Sequence, residues 1–534
     1  MGKATRSRLR KLSVKLQKQV QQIKDIGSAI SGAIKNLRKA RTLDKENFGF
    51  TKTIEMNEHL VRSALSCCDD VKYRQFRAGK AKALLVYLSG LTDTSKIETT
   101  VIECLTGRVE INESFVNINQ ITNLLITAAN VTVVKKPAEG ITNILKGNPL
   151  LIIDGIAEAV SIDAAKYEKR QITKAENEDV ARGPHDSFNE TIGDNIALVR
   201  RRTKDPDLKV EIFEIGARTQ TSVALLYIDD IVKPGLTDEI RNQLLAIRID
   251  KVILSANVEE FLSNQVWNPF PQTLTTERPD KVVAGLYEGR ISIIVDTSPT
   301  ALIVPVSLQD FMQSVDDYTQ RPAVASLTRL TRYFAAFIAV FLPAIYVSIV
   351  SYHPGMLPSG LAFSIAELRG KTPFPALLEA FLMEGLLEIF QEAIVRLPQK
   401  LAAAAGIVGA LVIGTTVVEA ALVNALLVVV IALTGLSSFS MPSYTFGMAL
   451  RFFRVAALIA AAVFGLYGIG ISFIVMVVFL CSLHTYGESY MGNLFDITLI
   501  KDWKDGVLRF PAEFLTSRPK RLGPKDKTRI GGED

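Results

Sequence analysis

Apolar and polar positions follow two unlike patterns along the chain. From Met1 to Thr331 a charged residue recurs every few positions, and from Phe48 short apolar runs alternate with amphipathic stretches. That alternation predicts α/β units, each a buried strand followed by a helix that packs on it. From Tyr333 to Leu483 long apolar runs dominate, and only this part is apolar enough to cross a bilayer. Tyr333–Tyr352 is an uncharged run of 20 residues. Pro343 within it is tolerable in lipid where neighbours satisfy the freed carbonyl. Leu401–Leu436 is apolar for 36 residues apart from Glu419 and Asn424, and Val455–Leu483 adds 29 more, punctuated by Gly465, Gly468 and Gly470. Each of these two longer runs reads as one tilted helix or as two short, broken ones.

The α/β region repeats itself. Lys82-Ala-Leu-Leu-Val-Tyr-Leu-Ser-Gly-Leu91 matches Ser222-Val-Ala-Leu-Leu-Tyr-Ile-Asp-Asp-Ile231, with Tyr87 over Tyr227. Lys146-Gly-Asn-Pro-Leu-Leu-Ile-Ile-Asp154 matches Glu288-Gly-Arg-Ile-Ser-Ile-Ile-Val-Asp296, with Gly147 over Gly289. The offsets, 140 and 142 residues, agree too closely for chance. In each copy a buried strand leads to a helix (Thr94–Leu105; Thr237–Leu245), and a Gly-led turn leads to a second buried strand. Between the copies, Arg182-Gly-Pro-His-Asp186 is a turn into a helix through Asn195–Arg202. Arg200, Arg201 and Arg202 end that helix, where cations favour the C-terminal dipole; a phosphate site is the less economical reading.

The expected fold is therefore an α/β N-terminal region of two similar subdomains, a duplicated module, followed by an all-α multi-pass membrane domain. Its segments are a basic arm over 1–48, subdomain 1 over 49–175, a linker helix with subdomain 2 over 176–320, transmembrane helices over 325–490 and a cytosolic tail over 491–534.

Charge sharpens that division. Residues 1–41 hold twelve Lys/Arg against one acid, Asp25, in a chain whose total is +6, so the remainder is net acidic. A basic arm of this kind suits anionic lipid or an acidic partner surface, or is simply solvated. No aromatic residues interleave with the charges as a binder of single-stranded nucleic acid needs, so nucleic acid is not an expected partner. No apolar stretch follows the basic N-terminus as in a secretory signal, which makes a cytosolic N-terminal region the expectation. Arg329/Arg332, Arg396/Lys400 and the basic tail from Lys501 to Arg521 suit both termini inside and an even number of crossings, four or six. Cys67, Cys68, Cys104 and Cys481 have no metal-ligand spacing and read as free thiols in a reducing compartment.

Candidate chemistry concentrates in Ala376–Leu397. As a helix, this stretch puts Glu384, Glu388 and Glu392 on one face with Gln391 beside them, and Leu382, Leu386, Phe390 and Ala393 on the other. A carboxylate at mid-bilayer costs roughly 2.5–3.5 kcal/mol, so three cannot face lipid. Either the helix lines an aqueous path in which the acids attract cations, or it lies at the interface with its acids solvated. Glu419 and Asn424, inside an apolar run, are candidates by the same cost, although Glu419 equally suits a loop between two short helices.

No enzyme is expected. Gly370-Lys371-Thr372 resembles the end of a phosphate-binding loop, but position 365, where that loop needs glycine, is Ile365. His59, His185, His353 and His484 are scattered without a paired acid, and no Gly-x-Ser-x-Gly elbow occurs. No catalytic residue, cofactor or metal is expected.

Taken in order, several short motifs resemble the A subunit of GerA-type spore germinant receptors. In the soluble region they are Arg182-Gly-Pro-His, Asn195-Ile-Ala-Leu-Val-Arg-Arg-Arg202, Asp205-Pro206, Ala224-Leu-Leu-Tyr227, Pro269-Phe-Pro-Gln272, Glu277-Arg-Pro279, Glu288-Gly-Arg290, and Pro305 through Asp316-Asp317-Tyr318. In the apolar region they are Pro354-Gly-Met-Leu-Pro358, Pro373-Phe-Pro375 and Glu388-Ile-Phe-Gln-Glu-Ala-Ile-Val-Arg-Leu-Pro398. The resemblance runs from about residue 50 to 515. It implies a spore protein of the inner membrane that works with a transporter-like, nutrient-sensing B subunit and a lipoprotein C subunit. It also implies a homo-oligomer forming a nutrient-gated channel for monovalent cations. A non-conducting scaffold that clusters receptors is the alternative. A paralogous A-like subunit tied to dipicolinate release shares the fold, but Glu211-Ile-Phe-Glu-Ile-Gly-Ala-Arg218 looks more like the receptor subunit.

Overall fold

A computed structural model describes residues 49–107, 118–125, 130–166, 178, 180, 182–263, 265, 267–398, 401, 406, 409, 412–492 and 503–529. The basic arm and much of the first half of the 401–436 run lie outside the described residues. The chain divides into two compact units, one running to Lys169 with Lys204–Pro206, the other comprising Arg170–Thr203 and Asp207–Asp534.

The first unit holds a five-stranded antiparallel sheet. Its strands are β1 (Val71–Ala78), β2 (Ala81–Leu88), β3 (Val131–Val134), β4 (Leu150–Ile153) and β5 (Ala159–Ile162), in the order β1-β2-β4-β5-β3. Gly79, at φ +59°, makes the two-residue turn that sets Ala78 opposite Ala81. The central strands β2 and β4 are continuous apolar runs because both sheet faces are covered. Helices α1 (Ile54–Ala64) and α2 (Pro137–Leu145) lie on one face, and Leu85, Leu151 and Ile153 meet Ile97, Val101 and Leu105 on the other. Close packing of α2 needs Gly140: a Cβ there would stand 3.0 Å from Leu150 Cδ2.

The second unit repeats the plan. Helix α3 (Ile192–Arg202) precedes strands β6 (Leu208–Ile215) and β7 (Thr221–Ile228). Then come α4 (Leu236–Ala246), α5 (Ser255–Leu262), β8 (Leu274–Thr276), α6 (Pro279–Glu288), β9 (Ile291–Val295) and β10 (Ala301–Val304). The order β6-β7-β9-β10-β8 is that of the first sheet, element for element. Side chains alternate faces with the period of two that strands impose. Leu225, Ile293 and Leu302 pack with α4 and α5, whereas Leu226, Ile294 and Ile303 face the other way into a core that continues into the long helices. The 140 and 142 offsets thus mark two copies of one antiparallel fold.

The copies also share a lock that no local pattern in the sequence announces. In the first, Asn57 Oδ1 accepts from Thr51 N at 2.9 Å, its Nδ2 donates to Thr51 O at 2.6 Å, and Asp154 Oδ1 accepts from Ile54 N at 3.1 Å. In the second, Asn195 does the same to Asn189 at 2.8 and 2.6 Å, and Asp296 Oδ1 accepts from Ile192 N at 3.0 Å. Each aspartate ends a central strand and caps the first turn of the helix laid over it.

After the second sheet the chain is mainly helical, with a short antiparallel pair, His484–Thr485 and Glu488–Ser489, after the last long helix. The apolar helices are α7 (Pro322–Tyr352), α8 (Ala376–Arg396), α9 (Ala425–Phe439), α10 (Tyr444–Phe464) and α11 (Leu466–Ser482). Among the described residues two of them, α7 and α10, are long and apolar enough to cross a membrane; α9 and α11 are shorter apolar helices. At 1.5 Å per residue α7 is about 46 Å long, more than a ~30 Å hydrocarbon core requires. It lies at the centre of the bundle, against α8, α9, α10 and α11. The Val455–Leu483 run is two helices rather than one. Gly465, at φ +60°, breaks it, and a Cβ there would meet the His353 ring at 3.0 Å.

Candidate functional site

Helix α8 follows Pro375 and ends before Pro398, and its Leu, Ala and Glu content favours the helix between those stops. It carries four glutamates within the bundle region, which the fold sends to three different places. Glu384, 5% exposed, stands 3.1 Å from Arg454 Nε. One turn on, Glu388 accepts from Arg454 Nη2 at 2.8 Å and from Arg451 Nη1 at 2.9 Å. Arg454 is buried and reaches Ser438 Oγ of α9 as well, at 3.4 Å. The result is a two-acid, two-arginine set joining α8 to α10 inside an apolar bundle. Gln391, also buried, has neither amide atom hydrogen-bonded among the described residues.

The other carboxylates part from this set. Glu392 is exposed and pairs along its own helix with Arg396, Nε to Oε1 at 2.9 Å. Glu379, in the first turn of α8, is fully buried; it accepts from Thr372 Oγ1 at 2.7 Å and from Asn424 N at 3.3 Å. Asn424 is buried and caps α9, its Oδ1 accepting from Leu426 N at 2.8 Å. Glu419 is exposed at the end of the short helix Val417–Glu419, just before the turn that leads to Asn424. Of the five residues singled out from sequence, the structure brings Glu384 and Glu388 together and sets Glu392, Glu419 and Asn424 apart from them.

Three side chains that complete these contacts are not among the residues singled out from sequence: Arg451, Arg454 and Glu379. The apolar run read from Val455 leaves both arginines outside it; helix α10 instead starts at Tyr444, so Arg451 lies about two turns and Arg454 nearly three turns inside it. Their spacing of three within an apolar helix was the available signal, since a buried guanidinium needs an acid as surely as a buried carboxylate needs a base.

A second charged set binds the sheet of this unit to the foot of α7. Arg329, fully buried, donates Nε to Asp317 Oδ2 at 3.0 Å and Nη1 to the Asp505 carbonyl; Arg332 donates to the same Asp317 oxygen at 2.8 Å. Arg290, which follows the Gly289 turn, donates to Asp310 Oδ1 at 2.6 Å, and Arg521 of the returning tail reaches that oxygen at 3.1 Å. Burial alone pushes the Asp310 carboxyl up, but Arg290, Arg521 and the Ser307 N–H outweigh it and hold the group well below the usual carboxylate range. Phe270 completes the junction, with its ring 5.6 Å from Phe446, 5.2 Å from Phe453, 6.2 Å from Phe479 and 6.1 Å from Tyr490. Described residues of the tail return to helix α6 of the same subdomain: Arg518 donates to Tyr287 O at 2.8 Å and Arg529 to Glu288 at 3.0 Å.

Comparison with known proteins agrees over nearly the whole chain. Residues 55–521 match the family described as Bacillus/Clostridium GerA spore germination protein. The chain is 37% identical to spore germination protein GerLA of Bacillus cereus over 470 residues, 88% of this chain and 95% of that one. It is 35% identical to the uncharacterized membrane protein YfkQ of Bacillus subtilis (strain 168) over 477 residues, 86% of this chain and 92% of that one. A crystal structure of the N-terminal domain of the A subunit of the Bacillus megaterium spore germinant receptor GerK3 is similar at 29% identity and a TM-score of 0.39. It covers 48% of this chain and 96% of that one.

Proposed function

The chain belongs to the GerA family of spore germination proteins, and from that premise we propose that it is the A subunit of a nutrient germinant receptor that conducts monovalent cations. On this reading it is a multi-pass protein of the inner spore membrane with its sheets and tail in the cytosol. Its partners are a nutrient-sensing B subunit, a lipoprotein C subunit and further copies of itself. Support for a membrane position comes from the large apolar side chains left exposed along the helices, among them Phe334 on α7, Leu436 on α9, Phe452 on α10 and Ile474 on α11. An even number of crossings is favoured because α7 leaves from the second subdomain and the chain after α11 returns to it.

The observation that carries the reading is the Glu384–Glu388–Arg451–Arg454 set. In this arrangement both carboxylates are paired with arginines, Glu384 buried and Glu388 half-exposed, which suits a closed state. Separation of α8 from α10 frees them, so the acids become the cation-attracting wall of a path. A nutrient bound on the B subunit drives that change only by its differential affinity for the two states; moving a population from 1:99 to 99:1 takes about 5.5 kcal/mol. Cation flux in vesicles carrying the assembled receptor tests the reading with Glu384→Gln/Glu388→Gln. Flux and cation selectivity are expected to fall, and unchanged values would sink the acidic path. The same closed pairing favours a second reading, a non-conducting scaffold, for which vesicle conductance is indifferent to this subunit.

A further inference from the structure

We infer that the turn Trp267–Gln272 of the second sheet's subdomain is a lipid-surface contact in which Trp267 seats in the headgroup layer of the bilayer. The inference rests on the membrane reading above. It starts from Phe270, buried among Phe446, Phe453, Phe479 and Tyr490. Phe446 lies in the first turn of α10 and Phe479 in the last turn of α11. These two helices are consecutive and fold back on each other at Gly465, so both rings mark the same end of the hairpin. Phe270 therefore fixes the turn at the level where the apolar helices leave the hydrocarbon.

Three residues of chain reach at most about 11 Å, so Trp267 lies within that distance of the same level. It is 98% exposed, and Tyr444, the first residue of α10, is half-exposed at the same end. The turn is held in place: Phe270 N donates to Asn268 Oδ1 at 3.0 Å, Asn268 N donates to Gln265 O at 3.1 Å, and Pro269 and Pro271 stiffen it. A fully exposed indole is unusual on a soluble surface but suits the bilayer interface, where the ring body is apolar and the N–H still meets water. Charge does not explain the contact. No Lys or Arg occurs between Lys251 and Arg278, so the occupant is recognised by aromatic insertion rather than by attraction to anionic headgroups.

The chain has two tryptophans, Trp267 and Trp503, which makes the test direct. Full-length Trp503→Phe is reconstituted in phosphatidylcholine vesicles whose acyl chains are brominated either near the glycerol or near the methyl ends. The expected result is a blue-shifted emission, quenched several-fold more by the shallow bromines than by the deep ones and unchanged in high salt. Emission typical of indole in water, quenched by iodide and indifferent to both bromolipids in chain that floats with the vesicles, overturns the contact while leaving the membrane reading intact. Chain that does not float with vesicles overturns both. Should Trp503→Phe fail to fold, the same quenching is read as wild type minus Trp267→Phe, a change at an exposed position.

Discussion

The two sheets are one fold put to two uses. Both run in the same strand order, both lock a helix with a buried asparagine and a strand-end aspartate, and both turn through a glycine at positive φ, Gly147 at +92° and Gly289 at +96°. They part at the next residue. In the first copy it is Asn148; in the second it is Arg290, buried and holding Asp310, Glu288 and the Pro305 carbonyl. Arg290 shares Asp310 with Arg521 of the tail, Arg329 holds Asp317 at the foot of α7, and Phe270 packs on rings of α10 and α11, so the second copy and the apolar helices form one compact unit. The duplicated lock is what the fold needs for itself. The added charges and rings are what join one copy to a helix bundle.

Changes at the added features are expected to have the largest effects. Arg329→Met leaves Asp317 buried with one arginine fewer and is expected to cost about 3–5 kcal/mol, read as a loss of thermal stability of the full chain in detergent. Phe270→Ala empties the aromatic junction and is expected to cost about 3 kcal/mol or more. Protease accessibility should then rise at the foot of α10 while the first unit stays protected. The shared lock gives smaller and matched effects. Asn57→Ala and Asn195→Ala each leave backbone groups of their own turn unpaired, at about 1–3 kcal/mol. Hydrogen exchange should accelerate at the start of α1 in one variant and of α3 in the other, and unequal costs would break the equivalence of the copies.

Acid gives the smallest effect. The Asp310 carboxyl titrates lower folded than unfolded, so its contribution is complete above the unfolded value, about pH 4, and is lost only as pH falls below that. Between pH 7 and 5 the stability conferred by Asp310 should be flat, and in Asp310→Asn the fall at lower pH should be shallower than in wild type.

Much of this organisation was legible in the sequence, for physical reasons. The duplication shows because the central strands β2, β4, β7 and β9 are buried on both faces and keep their apolar residues in both copies. The all-antiparallel strand order does not show, because pairing is set by contacts between strands far apart in sequence. The helix break at Gly465 was one of two readings of a glycine-rich run, and only its positive φ and the nearby His353 ring decide it. At the candidate site, four-residue spacing placed Glu384 and Glu388 on one face, but it could not separate them from Glu392, which turns outward to Arg396. The arginine partners of Glu384 and Glu388 come from a helix more than 60 residues away, and nothing local announces them. Glu379 was missed because its role depends on Asn424, whose backbone N–H it accepts from across the fold.

The central claim is that arginines on α10 hold the acids of α8 shut against cations. Cation leak from vesicles containing the assembled receptor without nutrient, with Arg454→Gln beside wild type and Glu384→Gln/Glu388→Gln, tests it most directly. A resting leak raised at least several-fold in Arg454→Gln, and abolished when the glutamates are also neutralised, is the expected result. A resting leak in folded, assembled Arg454→Gln no greater than in wild type would contradict it.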